Sequence, residues 1–169
     1  MLAAAREAEP GAVLIYRPHP DVVAGLRPGR LSAAEEALAD LVLPDADPAW
    51  LLSQADALWT ITSLMGFEAL MRQVPVTCLG APFYAGWGLT RDLAPVPERR
   101  RAPGITLDGL VHAALIGAPR YRDPVTGRIC TAEVALDRLA AMPLDVRGPA
   151  ARLAAKAQGL WATIHPRRC

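Results

Sequence analysis

Residues 57–79 read Ala57-Leu58-Trp59-Thr60-Ile61-Thr62-Ser63-Leu64-Met65-Gly66-Phe67-Glu68-Ala69-Leu70-Met71-Arg72-Gln73-Val74-Pro75-Val76-Thr77-Cys78-Leu79. Residues 57–61 form a short apolar run that suits a buried strand. Hydroxyl residues follow, and residues 63–73 carry the mixed apolar texture of a helix. Residues 74–79 are again a short apolar run, with Pro75 near its start. Strand, helix and strand in so little chain predict a parallel α/β sheet.

The same alternation extends upstream. Residues 12–16, Ala12-Val13-Leu14-Ile15-Tyr16, follow Pro10-Gly11 and read as a strand buried on both faces. Arg17-Pro18-His19-Pro20 must leave that strand, since proline has no N–H for the ladder. Residues 21–29 read as loop. Ser32 and Glu35 have capping-box spacing for a short helix over 31–40. Residues 41–43 are a second strand, stopped by Pro44-Asp45. Asp47-Pro48 opens a helix through Gln54, with Asp as N-cap and Pro in the first turn.

Downstream of Gly80 the texture changes. Residues 81–104 are rich in Pro, Gly, Arg and aromatics, without a period. A loop of that length in a compact domain is usually functional. Helices are predicted over 107–116, 131–142 and 149–164. The expected division is an N-terminal segment 1–11, a Rossmann-like lobe 12–142 and a C-terminal helical piece 143–169.

Composition sets the broad class. The chain has 169 residues, 52% hydrophobic and 21% charged, which fits a globular protein with a real core. Net charge is +1, so nothing favours a nucleic-acid partner. Lys156 is the sole lysine, so Arg is simply the abundant base of this sequence. Cys78, Cys130 and Cys169 are far apart, and no CxxC or Cys/His cluster suggests a metal site. They read as reduced thiols of a cytoplasmic protein. No apolar run approaches the ~18 residues of a membrane span. No Walker loop or GxGxxG occurs, which argues against ATP hydrolysis and NAD binding.

Three stretches carry chemistry. His19 stands between two prolines after a strand, on the sheet edge where α/β folds bind ligands. Its ring can donate to phosphate, and Arg17 can add charge. A rigid turn bearing a surface histidine is the plainer reading. Thr62 and Ser63 offer hydroxyls and free N–H groups at a helix start, which suits phosphate, though simple capping accounts for them equally well. Glu68 sits on a helix that reads as apolar nearly all round, grouped with Leu64, Phe67 and Met71. A carboxylate buried there needs a partner, either a ligand hydroxyl or a backbone amide. Last, residues 80–92, Gly80-Ala81-Pro82-Phe83-Tyr84-Ala85-Gly86-Trp87-Gly88-Leu89-Thr90-Arg91-Asp92, place aromatics among glycines. Tyr84 and Trp87 are candidates to line a sugar or nucleotide cleft. All three stretches follow predicted strands, so a nucleotide-sugar site at one sheet edge is expected.

The strings Thr62-Ser63-Leu64-Met65-Gly66-Phe67-Glu68-Ala69-Leu70 and Pro82-Phe83-Tyr84-Ala85-Gly86-Trp87-Gly88-Leu89-Thr90 resemble the hallmark of the capsule polysaccharide Kdo-transferase family, of the KpsC/LipA type. Arg17-Pro18-His19-Pro20-Asp21 is similar to its His-Pro motif. Arg99-Arg100-Arg101, Pro119-Arg120-Tyr121, Asp123-Pro124 and Cys130-Thr131-Ala132-Glu133 are similar to its downstream pattern. The resemblance covers about residues 12–140 and implies one lobe of a GT-B-type transferase. It implies CMP-Kdo as donor substrate, a lipid-linked Kdo acceptor, a β-linked Kdo product and no separate cofactor or metal. By analogy with sialyltransferases that use CMP-sialic acid, His19-Pro20 and Ser63, with Thr62, would hold the CMP phosphate. Asp45 or Asp47 would hold ribose or base, with Glu68 as the competing candidate. The family carries another lobe before its His-Pro strand, so the acceptor side and the catalytic group are expected from outside these residues. That lobe, or a partner subunit, would complete the site, in the cytoplasm and at the inner-membrane face. The rival readings are a non-catalytic nucleotide-binding module that pairs with another subunit, and a nucleotide-sugar hydrolase or epimerase. No carboxylate pair or Cys/His pair supports the last.

Overall fold

The computed structural model describes residues 1–100 and 104–142. The helix expected over 149–164 lies outside them. The chain divides into two units, Met1–Pro119 and Arg120–Cys169. The division falls inside the span 12–142 that was expected to form one lobe.

The first unit opens with α1 (Leu2–Ala8) and β1 (Ile15–Tyr16), followed by α2 (Pro20–Val23), α3 (Ala33–Glu36) and β2 (Leu41–Val42). β1 and β2 are parallel, with Ile15 opposite Leu41 and Tyr16 opposite Val42. The segment 1–11 is tied to this pair. Arg6 donates to the Leu38 carbonyl and to Asp40, and Asp40 also accepts from the Leu14 N–H. The Leu14 N–H, then Arg6, hold the Asp40 carboxyl below the usual carboxylate range. Ser32 and Glu35 form the expected capping box. The loop expected over 21–29 begins instead with the single turn α2, which Pro20 initiates and His19 caps.

The burial expected for residues 12–16 is corrected. Val13 is 70% and Ile15 43% exposed, and Leu41 and Val42 are exposed too. α2 and α3 have four residues each, too few to cover the pair.

The core lies around α4 (Pro48–Gln54), β3 (Leu58–Thr60), α5 (Met65–Met71) and β4 (Val76–Cys78). Asp47 caps α4 by accepting from the Trp50 N–H at 2.8 Å, and Pro48 fills its first turn, as read from the sequence. β3 and β4 are parallel, with Leu58, Trp59 and Thr60 opposite Val76, Thr77 and Cys78. β5 (Arg91–Asp92) extends this sheet in parallel beside β4. From the sequence alone, β5 falls within the long loop expected over 81–104. The residues are charged and the strand has two of them, so no apolar run marks it. Among the described residues no ladder joins β1–β2 to β3–β4–β5. The parallel α/β fold therefore comes as two sheets, with helices beside them.

Phe67, Ala69 and Leu70 of α5 pack with Leu52, Val76, Cys78, Tyr84 and Leu110 of α6 (Leu107–His112). Each large apolar side chain buried this way contributes roughly 1.5–3 kcal/mol. α6 continues into a π-helical turn, Ala113–Gly117.

The second unit holds an antiparallel pair, β6 (Tyr121–Arg122) and β7 (Ile129–Cys130), and α7 (Ala132–Ala141). Asp123 accepts from the Val125 and Thr126 N–H groups and stands 3.6 Å from Arg138. Thr131 caps α7. This hairpin, too, was invisible to strand patterning, since each strand has two residues.

Candidate functional site

Two of the three chemistry-bearing stretches follow neighbouring strands of one sheet. The turn after β3 carries Thr62 and Ser63, and the aromatic loop follows β4. His19 follows β1, in the other parallel pair.

The turn after β3 is built from its own hydroxyls. Thr60, buried, accepts from the Ser63 N–H at 3.1 Å. Ser63 Oγ accepts from the Met65 N–H at 3.2 Å, so this hydroxyl caps α5. Among the described residues nothing accepts its hydrogen, and Thr62 and Ser63 are both exposed. Gly80 presses on the same turn. A Cβ there would lie 2.8 Å from the Ile61 carbonyl oxygen and from Thr62 Cγ2. The ends of β3 and β4 approach this closely because residue 80 has no side chain.

Histidine 19 has a dual character. Its backbone is extended, as expected before proline, at φ −64° and ψ 137°. Nδ1 accepts from the Asp21 N–H at 3.1 Å. In the neutral ring the hydrogen must then sit on Nε2, the outer nitrogen. The cap thus orients the ring and leaves a donor toward solvent, and the side chain is about half exposed. Arg17 Nε donates to the Ala46 carbonyl at 2.9 Å, tying the end of β1 to the loop after β2. Asp45 and Asp47 lie in that loop and are exposed. Asp47 is engaged as the α4 cap. A shallow concavity of about 220 Å³ opens beside these strand ends, lined by Tyr16, Pro18, Val22, Arg30, Val42 and Pro44. A larger one, about 580 Å³, lies at the opposite end of the second sheet, against Ser53, Asp56, Arg72 and Gln73. It belongs to none of the three stretches.

Glutamate 68 departs from its expected environment. It is half-buried, and among the described residues its carboxylate has no hydrogen-bond or ion-pair partner. Successive helix residues lie ~100° apart, so Glu68 stands ~40° from Leu64 and ~60° from Met71, while Phe67, ~100° from Glu68, borders the inner side with Gly66 and Leu70. Leu64 is 59% and Met71 39% exposed, whereas Phe67 is buried. The helix has an inner and an outer face, and Glu68 is on the outer one. The argument from a costly buried charge does not apply to it.

The aromatic loop is a braced unit. Asp92 accepts from the Gly86 N–H at 2.8 Å and from the Thr90 hydroxyl at 2.7 Å. Gly86 takes φ +89°, where a Cβ would also meet Val96 at 3.0 Å. Arg100 donates to the Pro82 carbonyl at 2.6 Å and reaches those of Ala81 and Ala85. Tyr84 is fully buried, with its hydroxyl donating to the Ser63 carbonyl. Burial, with Cys78 nearby, raises its pKa far above the ordinary phenol value. Its place is in the core, joining the loop to the β3 turn. Trp87 is partly buried, and its indole N–H donates to the Phe83 carbonyl at 2.7 Å. Cys78 is inert as a nucleophile, because burial and the Asp92 charge push its thiol up to about 11. Asp92 and Arg100 had no distinct role in the sequence reading. The short strand that positions Asp92 is not visible in a charged dipeptide, and Arg100 stood within an arginine run.

Among the described residues, no cluster of three or more His, Cys, Asp or Glu could hold a metal. No described helix is long and apolar enough to cross a membrane. The expected single sheet edge is thus two strand ends in separate sheets, one with the His19 imidazole and one with the Thr62 and Ser63 hydroxyls, donor types that suit a phosphate-bearing ligand.

Comparison with known proteins places this arrangement. The family profile described as capsule polysaccharide biosynthesis protein matches residues 1–121, which span the whole first unit. The chain belongs to the capsule polysaccharide biosynthesis family. Among its relatives in this family, the capsule polysaccharide modification protein LipA of Neisseria meningitidis serogroup B is 47% identical over 136 residues, 80% of this chain and 19% of LipA. The lipopolysaccharide-processing protein LpsZ of Rhizobium meliloti is 50% identical over 113 residues, 66% of this chain and 25% of LpsZ. Among solved structures, the beta Kdo 2,7 transferase of Thermosulfurimonas dismutans KpsC superposes with a TM-score of 0.69 at 38% identity, covering 82% of this chain and 44% of that one. The beta Kdo 2,4 transferase of the same protein gives 0.68 at 37%, covering 81% and 42%. The chain thus spans a quarter or less of these curated relatives and under half of each transferase chain.

Proposed function

We infer that the first unit is the donor-binding lobe of a Kdo transferase of capsular polysaccharide synthesis, and that its donor is CMP-Kdo. The observation that carries this reading is the fold match at 38% identity to a beta Kdo transferase, in a chain whose strand ends carry phosphate donors. His19 Nε2–H and the Ser63 hydroxyl, beside Thr62, hold the CMP phosphate. Pro20 fixes the ring's backbone, and Arg17 lends positive charge. Asp45, beside the concavity at the β1–β2 ends, accepts from the nucleoside, with Glu68 on the outer face of α5 as the competing candidate. Such donors stabilise the charge that develops on CMP as it departs. The acceptor is a lipid-linked Kdo, presented by another lobe or subunit on the cytoplasmic side of the inner membrane. No residue of this chain is assigned the catalytic acid, base or nucleophile.

Thermal unfolding with added nucleotides tests the reading, since a ligand that binds only the folded state raises the midpoint. CMP should raise it more than UMP or ADP at equal concentration. Equal shifts, or none, would remove the CMP assignment.

A further inference from the structure

The braced loop leaves one aromatic ring facing outward. Tyr84 is fully buried, and Trp87 is partly buried with its N–H engaged. Phe83, between Pro82 and Tyr84, is 43% exposed. An exposed phenylalanine alone means little, because scattered surface apolar residues are common. The support behind this one is unusual. Its ring meets Phe67 edge-on at 5.0 Å between centroids and Tyr84 edge-on at 5.2 Å. Its carbonyl accepts from the Trp87 indole, and the carbonyl before it accepts from Arg100. Ring and backbone are both held in place.

Its position relative to Ser63 is fixed as well. The next residue, Tyr84, donates to the Ser63 carbonyl, and Phe67 lies four residues beyond Ser63. Whatever hangs from a phosphate at Ser63 comes within reach of the loop that carries Phe83. In a nucleotide sugar, two groups flank the phosphate: the nucleoside and the sugar. With Asp45 taken over Glu68 as the nucleoside acceptor, the nucleoside lies toward the ends of β1 and β2, whereas Phe83 follows β4, next to β3. Phe83 is left to the sugar.

We propose that Phe83 is the specificity-determining side chain of the loop and packs its ring against the C–H face of the donor's sugar. This rests on the reading of the edge as a CMP-sugar site. A 3-deoxy sugar acid suits the role, because the missing hydroxyl leaves an apolar edge for the ring. Burying that edge on an aromatic face should matter about tenfold in affinity.

Calorimetry on Phe83→Ala and Phe83→Leu, with CMP and CMP-Kdo as titrants, tests the assignment. Leu preserves an apolar contact to Phe67 and guards against a variant that fails to fold. Both variants should bind CMP as wild type does and lose about tenfold for CMP-Kdo. Equal losses for the two ligands in folded Phe83→Leu, or no loss for either, would overturn the assignment and leave the CMP site standing. A wild-type chain that binds neither ligand would instead overturn the site reading, and the Phe83 role with it.

Discussion

The hydroxyl of Tyr84 donates to the carbonyl of Ser63, joining the loop after β4 to the turn after β3. Gly66, on the first turn of α5, makes room for it. A Cβ at residue 66 would lie 2.2 Å from the Tyr84 hydroxyl oxygen and 2.6 Å from Cζ. Tyr84 is fully buried, so its ring has no exposed space to swing into.

Gly66→Ala should therefore destabilise the fold despite the better helix propensity of alanine. Overpacking of this kind costs about 1–3 kcal/mol. Denaturant unfolding measures it, with Gly11→Ala as control, because nothing lies within 4 Å of a Cβ there. Equal stability of the two variants would mean that the Tyr84–Ser63 tie is loose.

Gln73 follows α5 with φ 61°, the left-handed region where helices usually end on glycine. Glutamine there carries a steric cost that glycine avoids. Relief of the left-handed cost, about 1–2 kcal/mol, less the entropy that glycine loses on folding, about 0.5–1 kcal/mol, should leave Gln73→Gly more stable by about 0.5–1 kcal/mol. A drop in the unfolding midpoint would show that the glutamine side chain stabilises the turn by more than its strain.

His19 caps α2 through Nδ1, and its Nε2–H is assigned to phosphate. His19→Asn keeps a short capping acceptor, while its amide N–H falls short of the position that Nε2 holds. The variant should stay folded and lose about 1.5–3 kcal/mol of CMP affinity, the value of one charge-assisted hydrogen bond. Unchanged affinity in the folded variant would take His19 out of the site.

Glu68→Gln separates two roles. The carboxylate satisfies no backbone amide among the described residues, so stability should stay within about 0.5 kcal/mol of wild type. If it accepts from ribose, CMP affinity should fall by about 1–3 kcal/mol. Undiminished CMP affinity would leave Asp45 alone as the nucleoside acceptor.

The sequence showed what local rules control. Asp47-Pro48 and Ser32/Glu35 announce helix starts because caps act within four residues, and the structure has both. Residues 57–79 announce strand, helix and strand because their apolar runs are buried in one core. Where the outcome depended on distant partners, the sequence was silent. Glu68 looked buried because its neighbours are apolar, yet Leu64 and Met71 are themselves exposed. Tyr84 looked like a cleft residue because glycines flank its loop, yet Gly66 and Ser63, far back in the chain, draw it into the core. β5 exists through pairing with β4, a contact that its two charged residues do not advertise.

Calorimetric titration of the chain with CMP and CMP-Kdo, beside UMP and ADP, reads the donor site directly. CMP and CMP-Kdo should bind at one site per chain, at least tenfold tighter than UMP or ADP, a gap of about 1.4 kcal/mol. Binding of all four with equal affinity, or of none, would contradict a CMP-sugar site at the carboxyl edge of these strands.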